Sequence, residues 1–119
     1  MKKTLVLGAS FKTERYSNLA VHRLLENNYD VVGIGLKEGA IEKVTVYTGM
    51  PLLKNIHTIT LYLNPKRQVA YYDYILSLQP KRIIFNPGTE NTELERLLEK
   101  NNIFFERACT LVLLSTKQY

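Results

Sequence analysis

Apolar residues in this chain come in short continuous runs, and between the runs they recur at helical spacing. Thr4-Leu5-Val6-Leu7 is such a run, short enough for a strand buried on both faces. It ends in the small residues Gly8-Ala9-Ser10, and a new amphipathic segment begins near Ser17-Asn18, both good N-caps. Leu19, Ala20, Val21, Leu24 and Leu25 then supply a helical stripe. Asn27-Asn28 closes it, because asparagine tolerates the left-handed conformation that ends helices. A second apolar run, Tyr29 to Ile34, follows. Strand, helix and strand within about thirty residues make a βαβ unit, which implies parallel strands and a right-handed crossover.

The same alternation continues. The stretch from Gly35 to Thr48 has little periodicity; Val44 to Tyr47 reads at most as a short strand, and Gly39 and Gly49 mark turns. His57 to Leu63 is β-branched and aromatic, hence a strand. Asn64-Pro65 has the form of an N-cap followed by proline in the first helical position. Val69, Tyr72, Ile75 and Leu76 give the stripe of a helix that ends before Pro80. Lys81 to Phe85 is a further strand, broken by Asn86-Pro87-Gly88. Thr92 to Glu95 reads as a capping box, with Leu94, Leu97 and Leu98 as the buried face of its helix. Ile103 to Phe105 is a last short strand, and Thr110 to Leu114 suits either a helical turn or a strand. Such alternation predicts an α/β, three-layer, doubly wound fold on a mostly parallel sheet of about five strands. Ligands of these sheets bind outside the carboxyl ends of the strands. That edge gathers Gly8 to Asn18, Ile34 to Lys37, Tyr62 to Pro65 and Asn86 to Thr89.

Composition narrows the class. A chain of 119 residues is most simply a single domain spanning 1–119, and 45% hydrophobic with 23% charged residues is globular usage. The net charge of +5 suits either a lysine-rich solvated surface or attraction of an anionic ligand. The basic residues are scattered and form no block, which argues against nucleic acid as the partner. One cysteine, Cys109, leaves no internal disulfide. The apolar run after Lys2-Lys3 is cut short by Lys12, Glu14 and Arg15, too soon for a secretory signal, and no stretch is long enough for a membrane span. A cytoplasmic location is the expectation.

The most informative stretch is Thr4 to Asn18. A buried strand, a small-residue turn and a helix start make an anion site, because the first N–H groups of a helix lack intrahelical partners and carry the positive end of its dipole. Lys12 and Arg15 add full charges. The dinucleotide fingerprint is not met, since only the first glycine of G-x-G-x-x-G is kept in Gly8 to Thr13. NAD binding also wants an acidic residue at the end of the second strand, where the chain has Ile34-Gly35-Leu36-Lys37. A lysine there favours a ribose phosphate, as on coenzyme A or NADP, although Lys37 read alone is equally an ordinary loop lysine.

Gly8-Ala9-Ser10, then Arg15, Ser17 and Asn18, then Asn64-Pro65, Gly88 and Cys109 fall in an order that resembles the small stand-alone CoA-binding proteins. These are Rossmann-like, one-domain bacterial relatives of the CoA-binding domain of the succinyl-CoA synthetase α subunit, and the resemblance spans nearly the whole chain. It implies that Gly8, Ala9, Ser10, Arg15, Ser17 and Asn18 lie at the pyrophosphate. Ile34 and Lys37 would lie by the adenosine, and Leu63, Asn64, Pro65 and Gly88 along the rest of a groove. The chain departs from the family pattern between Gly35 and Gly49, which lacks a proline-rich stretch, and after Cys109, where an apolar end leaves room for a homodimer contact.

No catalytic constellation emerges. His22 lies beside a buried helical stripe, and His57 starts a strand at the end away from the site. No metal-ligand spacing is present. Cys109 suits a packed small hydrophobe better than a thiol facing that of CoA and able to form a mixed disulfide with it. Tyr71, Tyr72 and Tyr74 suit packing or a dimer contact better than base stacking. The resulting expectation is a non-catalytic domain that binds CoA or an acyl-CoA. An NADP-binding oxidoreductase-like domain and a partner-binding module without cofactor are the alternatives, with a weakly basic nucleic-acid binder behind them.

Overall fold

Leu5, Val6 and Leu7 are almost wholly buried, so the first strand must be covered on both faces. The computed structural model, which describes residues 2–119, shows why. Strand β1 (Lys3–Ala9) lies at the centre of the sheet, between β2 (Asp30–Gly35) and β5 (Thr58–Leu61). Beyond β2 stand β4 (Val44–Tyr47) and the edge strand β3 (Gly39–Ile41); beyond β5 stand β6 (Arg82–Phe85) and β7 (Phe104–Arg107). The order is β3-β4-β2-β1-β5-β6-β7, and all pairings are parallel except β3 with β4.

The sheet has seven strands rather than about five. The addition is the β3–β4 hairpin, which fills the stretch that lacks periodicity. Short edge strands are solvated on one side, so they need no long apolar run to form. Only Ile41, Val44 and Val46 of this hairpin are buried.

Helix α1 (Tyr16–Glu26) packs on one face beside α5 (Thr110–Ser115), through Val21, Leu24 and Leu114. Thr110 to Ser115 is thus helical. On the other face, α3 (Tyr72–Leu78) and α4 (Thr92–Lys100) contribute Ile75, Leu94 and Leu98 to a core with Leu5, Leu7, Ile59 and Phe85. Each such fully buried aliphatic side chain is worth about 1.5–3 kcal/mol. The result is the expected three-layer arrangement. Among the described residues, no helix is long and apolar enough to cross a membrane.

Two helix starts differ from their local signals. The residue before α1 is Arg15, not Ser17 or Asn18, and no side chain caps the helix. The Asn18 side chain turns back instead to donate to the Ser10 carbonyl at 2.9 Å. At α4 the cap is Asn91, whose Oδ1 accepts from Leu94 N–H at 3.2 Å, so Thr92 begins the helix rather than a capping box. The stripe from Val69 to Leu76 is also not one helix. Helix α2 (Pro65–Gln68), a 3-10 turn (Val69–Tyr71) and α3 follow in succession. Val69 is 55% exposed, because the 3-10 turn rotates it away from the face that Ile75 buries.

Candidate functional site

Strands β1 and β5 are neighbours, but the chain leaves β1 for the α1 face and leaves β5 for α2 and α3 on the other. Two connections that part in opposite directions open a crevice at the carboxyl end of the sheet. A groove of about 430 Å³ lies there, lined by the β1–α1 turn, the end of β2, and the segment from Tyr62 to Tyr71.

The β1 end is shaped by two glycines. Gly8 has φ +103°, and a Cβ there would stand 2.9 Å from the Tyr62 carbonyl carbon. A Cβ on Gly35 would stand 2.2 Å from the Ala9 oxygen. Both glycines let backbones approach at the head of the sheet, where any side chain would part the strands. The chain then turns through Ser10, whose Oγ accepts from Lys12 N–H at 3.1 Å, and enters α1 after Arg15 N–H bonds the Lys12 carbonyl. The Arg15 carbonyl accepts from Asn18 and Leu19, whereas the N–H groups of Tyr16 and Ser17 have no backbone partner among the described residues. With no side-chain cap, this helix start keeps its donors free for an anion.

Lys12, Arg15, Lys37 and Arg67 all line the groove. None makes an ion pair or side-chain hydrogen bond among the described residues, and no Asp, Glu, His or Cys lines the groove. The nearby carboxylate of Glu38 accepts from Thr48 and stays outside the lining. Between the cations, Phe11, Ile34, Leu36 and Leu63 give apolar surface. A concavity of about 400 Å³ at the other end of the sheet has only Lys43 and Asp30 as charged lining, so it lacks this one-signed field.

Of the residues singled out in the sequence, Gly8, Ala9, Ser10, Lys12, Arg15, Ser17, Ile34, Lys37 and Leu63 line the groove. Asn18, Asn64, Pro65 and Gly88 do not. Asn18 is buried and braces the Ser10 turn. Asn64 and Pro65 start α2: Asn64 Oδ1 accepts from Arg67 N–H at 2.9 Å, which holds the helix turn that carries Arg67. Gly88 sits in a separate turn at φ +92°, its N–H bonded to Glu90; a Cβ there would meet nothing within 4 Å.

Phe11, Tyr16, Gly35, Leu36 and Tyr62, from stretches expected at this edge but not singled out, complete the lining with Arg67 and Tyr71, which were not expected there. For Arg67 the one signal was the Asn64-Pro65 cap, which announces a helix but not where its residues land. Tyr71 stacks edge-on with Tyr74, whose hydroxyl donates to the Pro51 carbonyl, so these tyrosines are partly spent on internal packing.

Behind the groove, Gln68 is fully buried and donates to the carbonyls of Leu63 and Thr89, both at 2.8 Å, while accepting from Asn91. It ties the α2 wall to the α4 start. The Tyr62 hydroxyl is buried without a hydrogen bond among the described residues. Burial pushes its pKa up to about 12, only partly offset by the nearby hydroxyls of Thr60 and Thr110, which bond each other at 2.8 Å. Cys109 is half-buried, precedes α5 near Tyr62, and does not line the groove. His22 is a partly exposed residue 4.0 Å from Glu42 of the hairpin, and His57 Nδ1 lies 2.8 Å from Thr58 Oγ1. Among the described residues, no group of three or more His, Cys, Asp or Glu could hold a metal ion.

Residues 2–115 match the family described as CoA binding domain. No curated protein matches the chain. Among solved structures, one described only as an uncharacterized protein is 47% identical, with a TM-score of 0.95 over 100% of this chain and 98% of that one. A hypothetical protein from Pyrococcus horikoshii OT3 is 24% identical, with a TM-score of 0.87 over 97% of this chain and 82% of its own. A protein from Thermus thermophilus is 18% identical, with a TM-score of 0.88 over 99% and 90% respectively. The last two share the fold.

Proposed function

The chain belongs to the CoA-binding domain family, and on that premise we propose that the groove between β1, β2 and β5 holds coenzyme A or an acyl-CoA and performs no chemistry on it. One observation carries the reading: four unpaired cations and an uncapped helix start converge on a groove without a single carboxylate. CoA presents a diphosphate and a ribose 3′-phosphate, which need that arrangement. The small residues Gly8, Ala9 and Ser10 beside the free N–H groups of Tyr16 and Ser17 suit the diphosphate, with Lys12 and Arg15 neutralising it. Lys37, at the end of β2, suits the ribose phosphate, and Arg67 faces the same groove from the opposite wall. A groove of about 430 Å³ fits the nucleotide end, and the thiol arm would extend beyond it. The lining holds no His, Cys or carboxylate, the groups that most often serve as general acid, general base or thiol nucleophile, and this supports binding without chemistry. That supports a protein that carries or senses CoA.

Lys37 in place of the acidic residue of NAD sites also suits the 2′-phosphate of NADP, so the test compares both. Thermal unfolding is followed with CoA, acetyl-CoA, NAD, NADPH and ATP at equal concentration. At 100 times its dissociation constant a ligand stabilises the native state by about 2.7 kcal/mol. CoA or acetyl-CoA should raise the midpoint most. A shift with NADPH and none with CoA would replace this reading, and no shift with any nucleotide would leave a partner-binding module.

A further inference from the structure

The β3–β4 hairpin meets the phosphate turn where Phe11 reaches Gly39. The Phe11 ring lies with Cζ 2.9 Å, Cε1 3.3 Å and Cε2 3.8 Å from where a Cβ on Gly39 would stand. Gly39 opens β3 at the carboxyl end of β4, and β4 and β2 both stand between β3 and β1. To reach it, Phe11 must cross the ends of these two strands. The ring is therefore anchored at its far edge, while 38% of the residue remains open to solvent and it lines the groove beside Ile34, Gly35, Leu36 and Lys37.

The same corner has no side chain suited to reading the edge of a base. Reading an edge takes a paired donor and acceptor, as in Asn or Gln, and neither lines the groove, nor does an accepting carboxylate. Lys37 only donates, and Leu36 and Ile34 do neither. What remains is an anchored aromatic face and aliphatic surface, which bind any base by its π-face.

Building on the CoA reading, we infer that Phe11, seated on Gly39, is the platform on which the base of the bound nucleotide packs. The site then selects its ligand through phosphates and stacking, and is indifferent to the hydrogen-bonding edge of the base.

Isothermal titration with three probes tests this: CoA, 1,N6-etheno-CoA, whose adenine edge is blocked, and dephospho-CoA. Etheno-CoA should bind as CoA does, and dephospho-CoA more weakly. Phe11→Ala should weaken CoA binding on the order of tenfold, the usual loss of one stacked base, while Phe11→Trp should retain it. Gly39→Ala should act like Phe11→Ala by displacing the ring, with circular dichroism showing that each variant is folded. Phe104, an exposed phenylalanine of β7 outside the groove, is the control: its alanine variant should bind as wild type. CoA binding with etheno-CoA excluded would show that main-chain groups read the edge and would overturn the inference. So would Phe11→Ala binding CoA unchanged, or Phe104→Ala causing an equal loss. If CoA itself fails to bind, the CoA reading falls first and this inference with it.

Discussion

At the scale of single residues, two kinds of constraint meet in the β1–α1 turn. Gly8 answers to the fold: with φ +103° and the Tyr62 backbone against its open side, it has no room for a methyl group. Gly8→Ala should lower stability by about 2 kcal/mol or more, read by chemical denaturation, because strain and overpacking add. Arg15 is proposed to answer to the ligand: its side chain makes no bond within the protein among the described residues. Arg15→Ala should leave the melting temperature of the free protein unchanged and weaken CoA binding about tenfold, the worth of a charge-assisted hydrogen bond. An equal loss of stability and affinity would assign Arg15 to the fold instead. The glycine and the basic residues of this turn were legible because they stand in one short stretch after an apolar run. Arg67 and Tyr71 were not, since their place on the groove depends on where α2 and the 3-10 turn land after β5.

At the scale of elements, helix ends decide how the site is framed. α1 starts without a side-chain cap, which is what the proposed phosphate site needs; α2 and α4 are capped by Asn64 and Asn91. The asparagine at 91 also reaches the Gln68 side chain and the Tyr72 hydroxyl, so one cap serves two connections. Not every end is well built. Helix α3 terminates in Gln79 at φ +48° and ψ +53°, a left-handed position that glycine fills without steric cost. Gln79 is exposed and makes no side-chain hydrogen bond among the described residues. Gln79→Gly should therefore raise stability by about 0.5–1 kcal/mol in thermal or denaturant unfolding. Asparagine at the same kind of position, Asn28 after α1 and Asn102 after α4, shows the chemistry that the α3 end lacks.

For the molecule as a whole, two buried phenols set the alkaline limit. Burial raises the pKa of Tyr62 to about 12 and also raises that of Tyr119, which packs against Tyr29 and beneath the Arg82 guanidinium. Above pH 10 the unfolded chain loses these protons while the native state keeps them, so stability must fall as pH rises through this window. Tyr62 alone should account for up to about 2 kcal/mol between pH 10 and 12. Tyr62→Phe should flatten that decline and leave stability at pH 7 unchanged or slightly higher, because the buried hydroxyl has no hydrogen bond to lose. An unchanged alkaline slope in this variant would show that Tyr62 does not carry the effect. The alternation of buried strands with amphipathic helices was determined by the sequence alone, because strands buried on both faces, as β1, β5 and β6 are, call for short runs of apolar and β-branched residues. The turn proposed to bind an anion was legible there too, since strand, small residues, basic residues and helix start are contiguous. Only the tertiary structure decided that a hairpin fills the edge beside β2 and that Phe11 reaches across to it. It alone also brought Arg67 to the same groove as Arg15 and sent Asn18, Asn64 and Gly88 away from its lining. Those outcomes depend on how the chain crosses between the two faces of the sheet, a choice made by packing over distances that no local pattern spans.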